Sequence, residues 1–192
     1  MGNEAIKPAR RKGDEADAAA ARLEADSRRL ERCRYRLGRQ AQHADSAEAA
    51  MNLRSQLIAE EGCRSTAYLD TLGIATIGIG HTGPEVHLGL TWTDAQIDAQ
   101  LDADISTKRN QVVDALPWFE GLNEPRQAVI MQMAFQLGTK GLLGFPNTLA
   151  AVHDGRYTEA GDGMLASKWA QQTPNRVHRL AQQMATGQWV VA

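Results

Sequence analysis

Aromatic side chains and cysteines are scarce in this chain: aromatics make up 5% of its 192 residues, and there are two cysteines. The apolar share of 43% is ordinary for a globular protein, so we expect a core built mainly from aliphatic side chains. Cys33 and Cys63 lie in different segments, which argues against a disulfide framework. Thiols that stay reduced fit synthesis in a reducing cytoplasm.

Long apolar runs are also absent. No stretch of about 18 apolar residues exists, so the sequence predicts no transmembrane helix. The start of the chain lacks the apolar core of a secretory signal. A net charge of −2 gives no general reason to expect binding to nucleic acids or membranes. No cluster of His, Cys or acidic residues has the spacing of zinc ligands, and we expect neither a metal nor another cofactor.

The beginning of the chain differs in composition from the rest. Residues 1–50 carry eleven Lys or Arg against nine Asp or Glu, whereas residues 51–192 carry ten against fourteen. The first segment is rich in Ala, Glu and Arg, which favours helix, and Leu23, Leu30 and Leu37 supply half of a coiled-coil seam. We therefore predict a helical or flexible extension over 1–50 and a single domain over 51–192.

This extension is interpreted first as a solvated segment, with two functional alternatives. It could associate weakly with a second copy through its leucines, or its basic side chains could contact anionic polymers of a cell envelope. Those side chains are Arg28, Arg29, Arg32, Arg34, Arg36 and Arg39.

The domain opens with a short predicted helix that ends in a carboxylate. Leu53, Leu57 and Ile58 recur at helical spacing, which predicts a helix from residue 51 to residue 61. Glu61 lies four residues after Leu57, so its side chain falls at the edge of the apolar face. Gly62 is expected to end the helix.

The next segment, residues 64–81, is punctuated by glycines and predicts a small antiparallel sheet. Asp70 and Thr76 lie in this segment, and we expect Glu61 to face the sheet that carries them. Cleavage of a glycosidic bond needs one protonated carboxyl group and one ionised carboxylate on the other side of the sugar. Desolvation would favour the protonated form of Glu61, whereas Asp70 beside a turn should stay ionised. Taken alone, these residues are also typical of a solvated surface.

Downstream, the apolar pattern predicts helices. The first begins at a capping box, Thr93 to Gln96, and ends before Pro117. The others are Arg126 to Leu137, a short helix closed by Gly155, Thr158 to Trp169, and a last helix with Thr173 as its cap and Pro174 at its first position.

Three separated motifs resemble those of phage-type lysozymes, the muramidases of T-even and lambdoid bacteriophages. The first is Glu61, Asp70 and Thr76 followed by Ile-Gly-Ile-Gly-His over 77–81. The second is Ala-Phe-Gln-Leu-Gly over 134–138 with Gly-Phe-Pro-Asn over 144–147, and the third is Trp-Ala-Gln-Gln-Thr-Pro-Asn-Arg over 169–176. The resemblance covers about residues 51–189.

The resemblance implies a mostly helical α+β fold with two lobes, a small sheet-containing lobe and a helical C-terminal lobe, joined by a long helix. It implies hydrolysis of the β-1,4 bond between N-acetylmuramic acid and N-acetylglucosamine in peptidoglycan, with inversion, for lysis of the host cell. Glu61 would be the general acid, and Asp70 and Thr76 would hold the attacking water.

Further site residues follow from the same resemblance. Arg176 would pair with Glu61 and position it. His81 would have a structural role, paired with Asp104; Asp102 is the alternative partner. The substrate-binding candidates are Phe135, Gln136, Asn147 and Arg176.

Two other functions remain open from the sequence. A lytic transglycosylase would use one acid and form an anhydro sugar without water, so it would not need Asp70 and Thr76. A non-catalytic module would bind peptidoglycan glycan strands through a lysozyme-like domain. Some lambdoid relatives begin with a membrane-anchoring export segment that this sequence lacks. We therefore expect synthesis in the host cytoplasm, release through a holin-type pore and action on the cell wall in the periplasm.

Overall fold

The computed structural model describes residues 53–70 and 72–190, so the predicted extension over 1–50 lies outside the described residues. The described chain is mostly helical with a small two-stranded sheet, which confirms the predicted α+β class. Its elements are α1 Leu53–Glu61, β1 Arg64–Leu69, β2 Ala75–Gly78, α2 Asp94–Ala115, a 3₁₀ turn Phe119–Gly121, α3 Glu124–Leu143, α4 Pro146–His153, α5 Tyr157–Leu165, α6 Lys168–Gln172 and α7 Pro174–Thr186.

The first helix ends where the sequence predicts. Gly62 adopts φ 74°, a left-handed conformation that favours glycine, and its N–H donates to the carbonyl of Ile58 at 3.0 Å. The chain then turns into β1, which pairs antiparallel with β2. This leaves Glu61 as the last residue of α1, directly before the sheet.

Asp70 closes the hairpin between the two strands. Its Oδ1 accepts hydrogen bonds from the N–H groups of Leu72 and Ile74, each at 2.8 Å. Such an Asx arrangement lets a side chain replace a backbone acceptor in a tight turn. Thr76 lies opposite Tyr68 in the strand pairing and is 4% exposed.

The long helix α2 begins at the predicted capping box. The Gln96 N–H donates to Thr93 Oγ1, and the Thr93 N–H donates back to Gln96 Oε1 at 2.8 Å. These bonds satisfy amide groups that the first turn of a helix leaves without partners. Ile97 and Leu101 on α2 are buried against Leu57 of α1, so α2 packs beside the small lobe.

The predicted helix over 126–137 is the first part of α3, and residues 128–134 are buried as expected from its apolar composition. Asn123 caps this helix by accepting from the Arg126 N–H. Gly138 has φ 72° and ψ 162°, which no helix accommodates, so the regular helix stops there as predicted and a further helical turn follows to Leu143.

Two predictions in the C-terminal part were wrong. The expected helix over 158–169 is divided into α5 and α6, because Ser167 is extended and its Oγ accepts from the Ala170 N–H at 3.2 Å, starting a new helix. Thr173 precedes α7, with Pro174 at its first position as predicted, but its side chain does not cap it. Its hydroxyl donates instead to the carbonyl of Trp169.

The core is divided between the two lobes. A large cluster fills the helical lobe around Val129, Ile130 and Met133, and smaller clusters lie beneath the sheet. Phe135 and Ile105 pack against both the large cluster and the cluster around Leu57. Within residues 53–70 and 72–190, no helix combines the length and the apolar character needed to cross a membrane.

Three buried glutamines join α1, α3 and α7. Gln56 Nε2 donates to Gln183 Oε1 at 2.7 Å, and Gln132 Nε2 donates to Gln56 Oε1 at 2.8 Å. Gln183 Nε2 donates to the carbonyl of Pro125 at 2.8 Å. Gln132 Oε1 has no partner among the described residues. Gln56 is therefore the central member of the cluster.

Substitutions at the central Gln56 and at the outer Gln132 should differ in their effect on stability. In Gln56→Met, the amide of Gln132 loses its partner, and a buried unsatisfied amide costs about 1–3 kcal/mol. In Gln132→Met, Gln56 Oε1 keeps a second donor, Gln183 Nε2, at 3.4 Å, so no amide is stranded. Urea unfolding should give the larger loss for Gln56→Met. An equal or larger loss for Gln132→Met would show that Gln56 is not the central member of the cluster.

Candidate active site

A cleft of about 390 Å³ lies between the sheet, α2, α3 and the start of α7. Apolar groups from the segment after β2 and from α3 line it together with polar side chains from α1, α2, α3 and α7. The lining residues are Glu61, Ile79, Gly80, His81, Thr82, Asp104, Thr107, Lys108, Phe135, Gln136 and Arg176. Six residues predicted from the sequence therefore meet in one place: Glu61, His81, Asp104, Phe135, Gln136 and Arg176.

The carboxylate of Glu61 is held by a cation from the last helix. Arg176 Nη2 donates to Glu61 Oε1 at 2.6 Å, which confirms the predicted contact. The Arg176 side chain is 8% exposed and that of Glu61 is 30% exposed. Arg176 is therefore a buried residue of the cleft and not a surface arginine.

A second carboxylate, which was not predicted from the sequence, balances the arginine. Glu60 Oε2 lies 3.2 Å from Arg176 Nε, but the N–H is not aimed at it well enough for a hydrogen bond. Glu60 also bonds to Arg179. Two acids at the end of α1, Glu60 and Glu61, thus face two arginines of α7, Arg176 and Arg179.

The sheet closes against Glu61 from the other side. Gly80 has φ 71°, and a Cβ built there would lie 3.5 Å from both Cγ and Oε2 of Glu61. The left-handed backbone explains why glycine occupies this position, since the contact itself is at an ordinary van der Waals distance. The turn that follows β2 therefore lies beside the carboxylate of Glu61.

His81 contacts two acids across the cleft. Its Nδ1 lies 2.8 Å from Oδ2 of Asp104, the predicted partner, and its Nε2 lies 2.7 Å from Oε1 of Glu85, which was not predicted. The alternative partner, Asp102, bonds to Arg54 instead. Partial burial, the largest single influence, lowers the pKa of His81, but the hydrogen bonds to Glu85 and Asp104 outweigh it and raise the pKa above 6.5. The hydrogen bond from His81 lowers the pKa of Glu85.

Gln136 is oriented by Trp169. The indole Nε1–H donates to Gln136 Oε1 at 2.8 Å, and because an indole N–H is only a donor, the amide oxygen must face it. The Gln136 amide nitrogen is left to donate elsewhere in the cleft that it lines. Trp169 itself is 3% exposed, as expected of a core residue.

Three predicted residues do not line this cleft. Asp70 and Thr76 lie on the hairpin, and Thr76 Oγ1 donates to the carbonyl of Ile74 at 3.1 Å. Asp70 Oδ2 accepts no hydrogen bond from the described residues, in contrast to the doubly bonded Oδ1. Asn147 is exposed in the first turn of α4. The roles given to these residues remain predictions.

In the described part of the chain, no three His, Cys, Asp or Glu side chains are grouped so as to hold a metal ion.

Several cleft residues were not predicted from the sequence. Lys108 follows Asp104 by four residues and therefore shares its helix face, a spacing that could have identified it.

Comparisons with known proteins agree with this geometry. The family model described as phage lysozyme matches residues 58–185. The chain is 27% identical over 161 residues to a probable T4-type lysozyme of Dictyostelium discoideum, covering 71% of this chain and 95% of that protein.

Two phage relatives are longer than the matched region. The chain is 27% identical over 161 residues to the pre-baseplate central spike protein Gp5 of Enterobacteria phage T4, covering 71% of this chain and 28% of the spike protein. It is 36% identical over 112 residues to an endolysin of Lactococcus phage c2, covering 55% of this chain and 48% of the endolysin.

The two acids on His81 should make stability depend on pH. Because the folded pKa of His81 is raised, its stabilisation is complete below the unfolded value near 6.5 and is lost as pH rises through the folded pKa. As pH rises through the folded pKa of His81, the melting temperature of the wild type should fall, whereas that of His81→Asn should change less. The exposed His87, as His87→Asn, should keep the wild-type slope. If the melting temperature of His81→Asn depended on pH as that of the wild type does, the contacts of His81 with the two acids would be excluded as the source of that dependence.

Proposed function

This chain belongs to the phage lysozyme family, and we propose that it hydrolyses the β-1,4 glycosidic bond that follows N-acetylmuramic acid in peptidoglycan. The observation that carries the proposal is Glu61, which lies in a cleft open to solvent while Arg176 holds its carboxylate in one orientation. A glycosidase needs such a fixed carboxyl group beside the leaving oxygen.

Glu61 would act as the general acid. The adjoining Arg176 is a positioning group: it bonds Oε1, so Oε2 remains to carry the proton toward the substrate. Gly80 packs against Oε2 without donating a side-chain bond to it. The arrangement leaves one oxygen of the acid directed by the protein and the other available for the glycosidic oxygen.

Asp70 and Thr76 would hold the attacking water. The single hydroxyl proton of Thr76 is donated to Ile74, so toward a water Thr76 can only accept. Asp70 Oδ2 is likewise an acceptor without a partner among the described residues. A water that donates to both would present its lone pair to the sugar, and Asp70 would take its proton as general base.

The position of Thr76 in the chain is compatible with this role. It lies four positions before Gly80, which packs against Glu61, and four residue steps of extended chain span at most about 13 Å. Inverting glycosidases hold their two carboxyl groups about 6.5–9.5 Å apart to leave room for water. Because Asp70 and Thr76 would hold a water and would not themselves attack the sugar, we propose a single displacement by water, with inversion at the anomeric carbon.

Gln136 and Phe135 would bind the sugar. The Gln136 amide nitrogen, whose orientation Trp169 fixes, can donate to the carbonyl of an N-acetyl group. Phe135 lines the cleft as a half-buried ring and can pack on a sugar face. Asn147, exposed at the start of α4, would serve a more distant part of the glycan strand.

The cellular role that we propose is suggested by the phage relatives. The chain spans about half of the phage endolysin and less than a third of the T4 spike protein that it matches. We propose synthesis in a host cytoplasm, release by a holin-type pore and degradation of the periplasmic cell wall during lysis. Contact of residues 1–50 with anionic envelope polymers would be an addition to this activity.

Replacing the acid tests the proposal. Glu61→Gln should lower the clearing of cells stripped of their outer membrane by at least about 10²–10⁴-fold, the usual contribution of general acid catalysis. Glu120→Gln, an exposed acid away from the cleft, is the matched control and should clear at the wild-type rate. Residual activity of more than about a tenth in Glu61→Gln would show that Glu61 is not the acid.

Mass spectrometry of the digest separates the rival functions. Hydrolysis adds one water per bond, so products lighter by one water would identify a lytic transglycosylase and overturn the proposed role of Asp70. Wild-type protein that sediments with peptidoglycan but releases no fragments would identify a binding module.

A further inference from the structure

Three cations line the cleft, and their charges are balanced to different degrees. Arg176 contacts Glu60 and Glu61, and His81 contacts Asp104 and Glu85. The half-buried Lys108 has no acidic side chain within 4.0 Å among the described residues. Of the cleft cations, Lys108 is thus the one whose charge the described protein does not neutralise.

The acid nearest to Lys108 in the sequence, Asp104, contacts other residues. Asp104 lies one helical turn before Lys108, a spacing that commonly gives an ion pair. However, Asp104 Oδ2 contacts His81 Nδ1 at 2.8 Å, and Oδ1 accepts from Gln100 Nε2 at 2.9 Å. Asp104 makes no ion pair with Lys108 within 4.0 Å, so the ammonium of Lys108 remains available to an anion from solution.

We propose that Lys108 binds a carboxylate of the peptide stem on the glycan, so that the enzyme prefers strands that carry stems. The proposal rests on the proposed function, because it takes peptidoglycan as the substrate. In that polymer the lactyl carboxyl of N-acetylmuramic acid forms an amide with the peptide. The free carboxylates beside the glycan strand therefore belong to the stem. A strand stripped of its peptides exposes the lactyl carboxylate instead.

The side chain and its location suit this contact. Lysine presents a compact charge on a flexible four-carbon stem, which can follow a mobile peptide better than a fixed guanidinium fork. Lys108 projects from α2, whose neighbouring Thr107 also lines the cleft and can add a hydroxyl hydrogen bond. Residues 51–192 carry ten basic and fourteen acidic side chains, so an anionic strand is otherwise repelled at long range.

The test compares three variants on soluble strands. Lys108→Met removes the charge and keeps a good helix former, Lys108→Arg restores the charge, and Lys140→Met is the control at an exposed position outside the cleft. The substrates are strands with native stems, the same strands with their carboxylates amidated, and strands stripped of peptides by an amidase. Initial rates give kcat and KM for each combination.

On native strands, Lys108→Met should raise KM by about two- to fivefold, the range for a partly exposed ion pair, and affect kcat less. Lys108→Arg should recover most of this loss, and Lys140→Met should match the wild type. On amidated strands, wild type and Lys108→Met should have the same KM. High salt should reduce the wild-type preference for native strands.

Three results would overturn the proposal. An equal rise in KM on native and amidated strands would mean that Lys108 does not recognise a carboxylate. A loss confined to stripped strands would assign the contact to the lactyl carboxylate and exclude the stem. Sedimentation of uncleaved Glu61→Gln complexes provides a readout without hydrolysis, and equal binding of native and amidated strands there would also refute the contact. Failure of the proposed function is recognised separately, since wild type would then hydrolyse none of the strands.

Discussion

The site depends on burying Arg176 where the first and last helices of the described chain meet. A cation that is 8% exposed requires compensation, because an unpaired charge out of water costs several kcal/mol. Glu60 and Glu61 supply that compensation from the last turn of α1, and Arg179 balances the second acid. The charges fix the end of α1 against α7 and so fix the acid candidate. The buried glutamines reinforce the same junction with neutral hydrogen bonds.

Around this junction, each remaining group has a different physical task. Asp70 uses one oxygen to close the hairpin and keeps the other clear of the described residues. His81 joins the hairpin side to α2 through Asp104, and its raised pKa reflects two acids that act against burial. Gln136 is turned by a core tryptophan so that its donors remain for a ligand. Lys108 alone among the cleft cations is left unbalanced in the described part of the chain, which makes it the group most open to an outside anion.

The features that the sequence predicts correctly are those determined by residues close together in the chain. The Thr93–Gln96 capping box, the stop at Gly62 and the break at Gly138 each depend on neighbours a few residues away. The contacts of Glu61 and His81 span 115 and 23 residues, and here the family motif, not periodicity, selected Arg176 and Asp104.

The failures have the same explanation. Ser167 starts a new helix because its extended backbone favours a cap over continuation, a competition that apolar spacing does not report. Glu60 and the glutamine cluster acquire their roles only when helices distant in sequence meet. Glu85 lies four residues after His81, but the glycine and the proline between them favour a loop, and spacing within a loop does not predict a contact.

The central claim is that Glu61 delivers a proton while Asp70 and Thr76 direct a water from the other face of the sugar. Proton NMR of the first reducing ends formed from soluble strands tests it most directly, before mutarotation mixes the anomers. Single displacement by water should give the α-anomer first from the β-linked substrate. If the β-anomer appeared first, Asp70 would have to act as a nucleophile, and the account of the hairpin as a holder of water would be wrong.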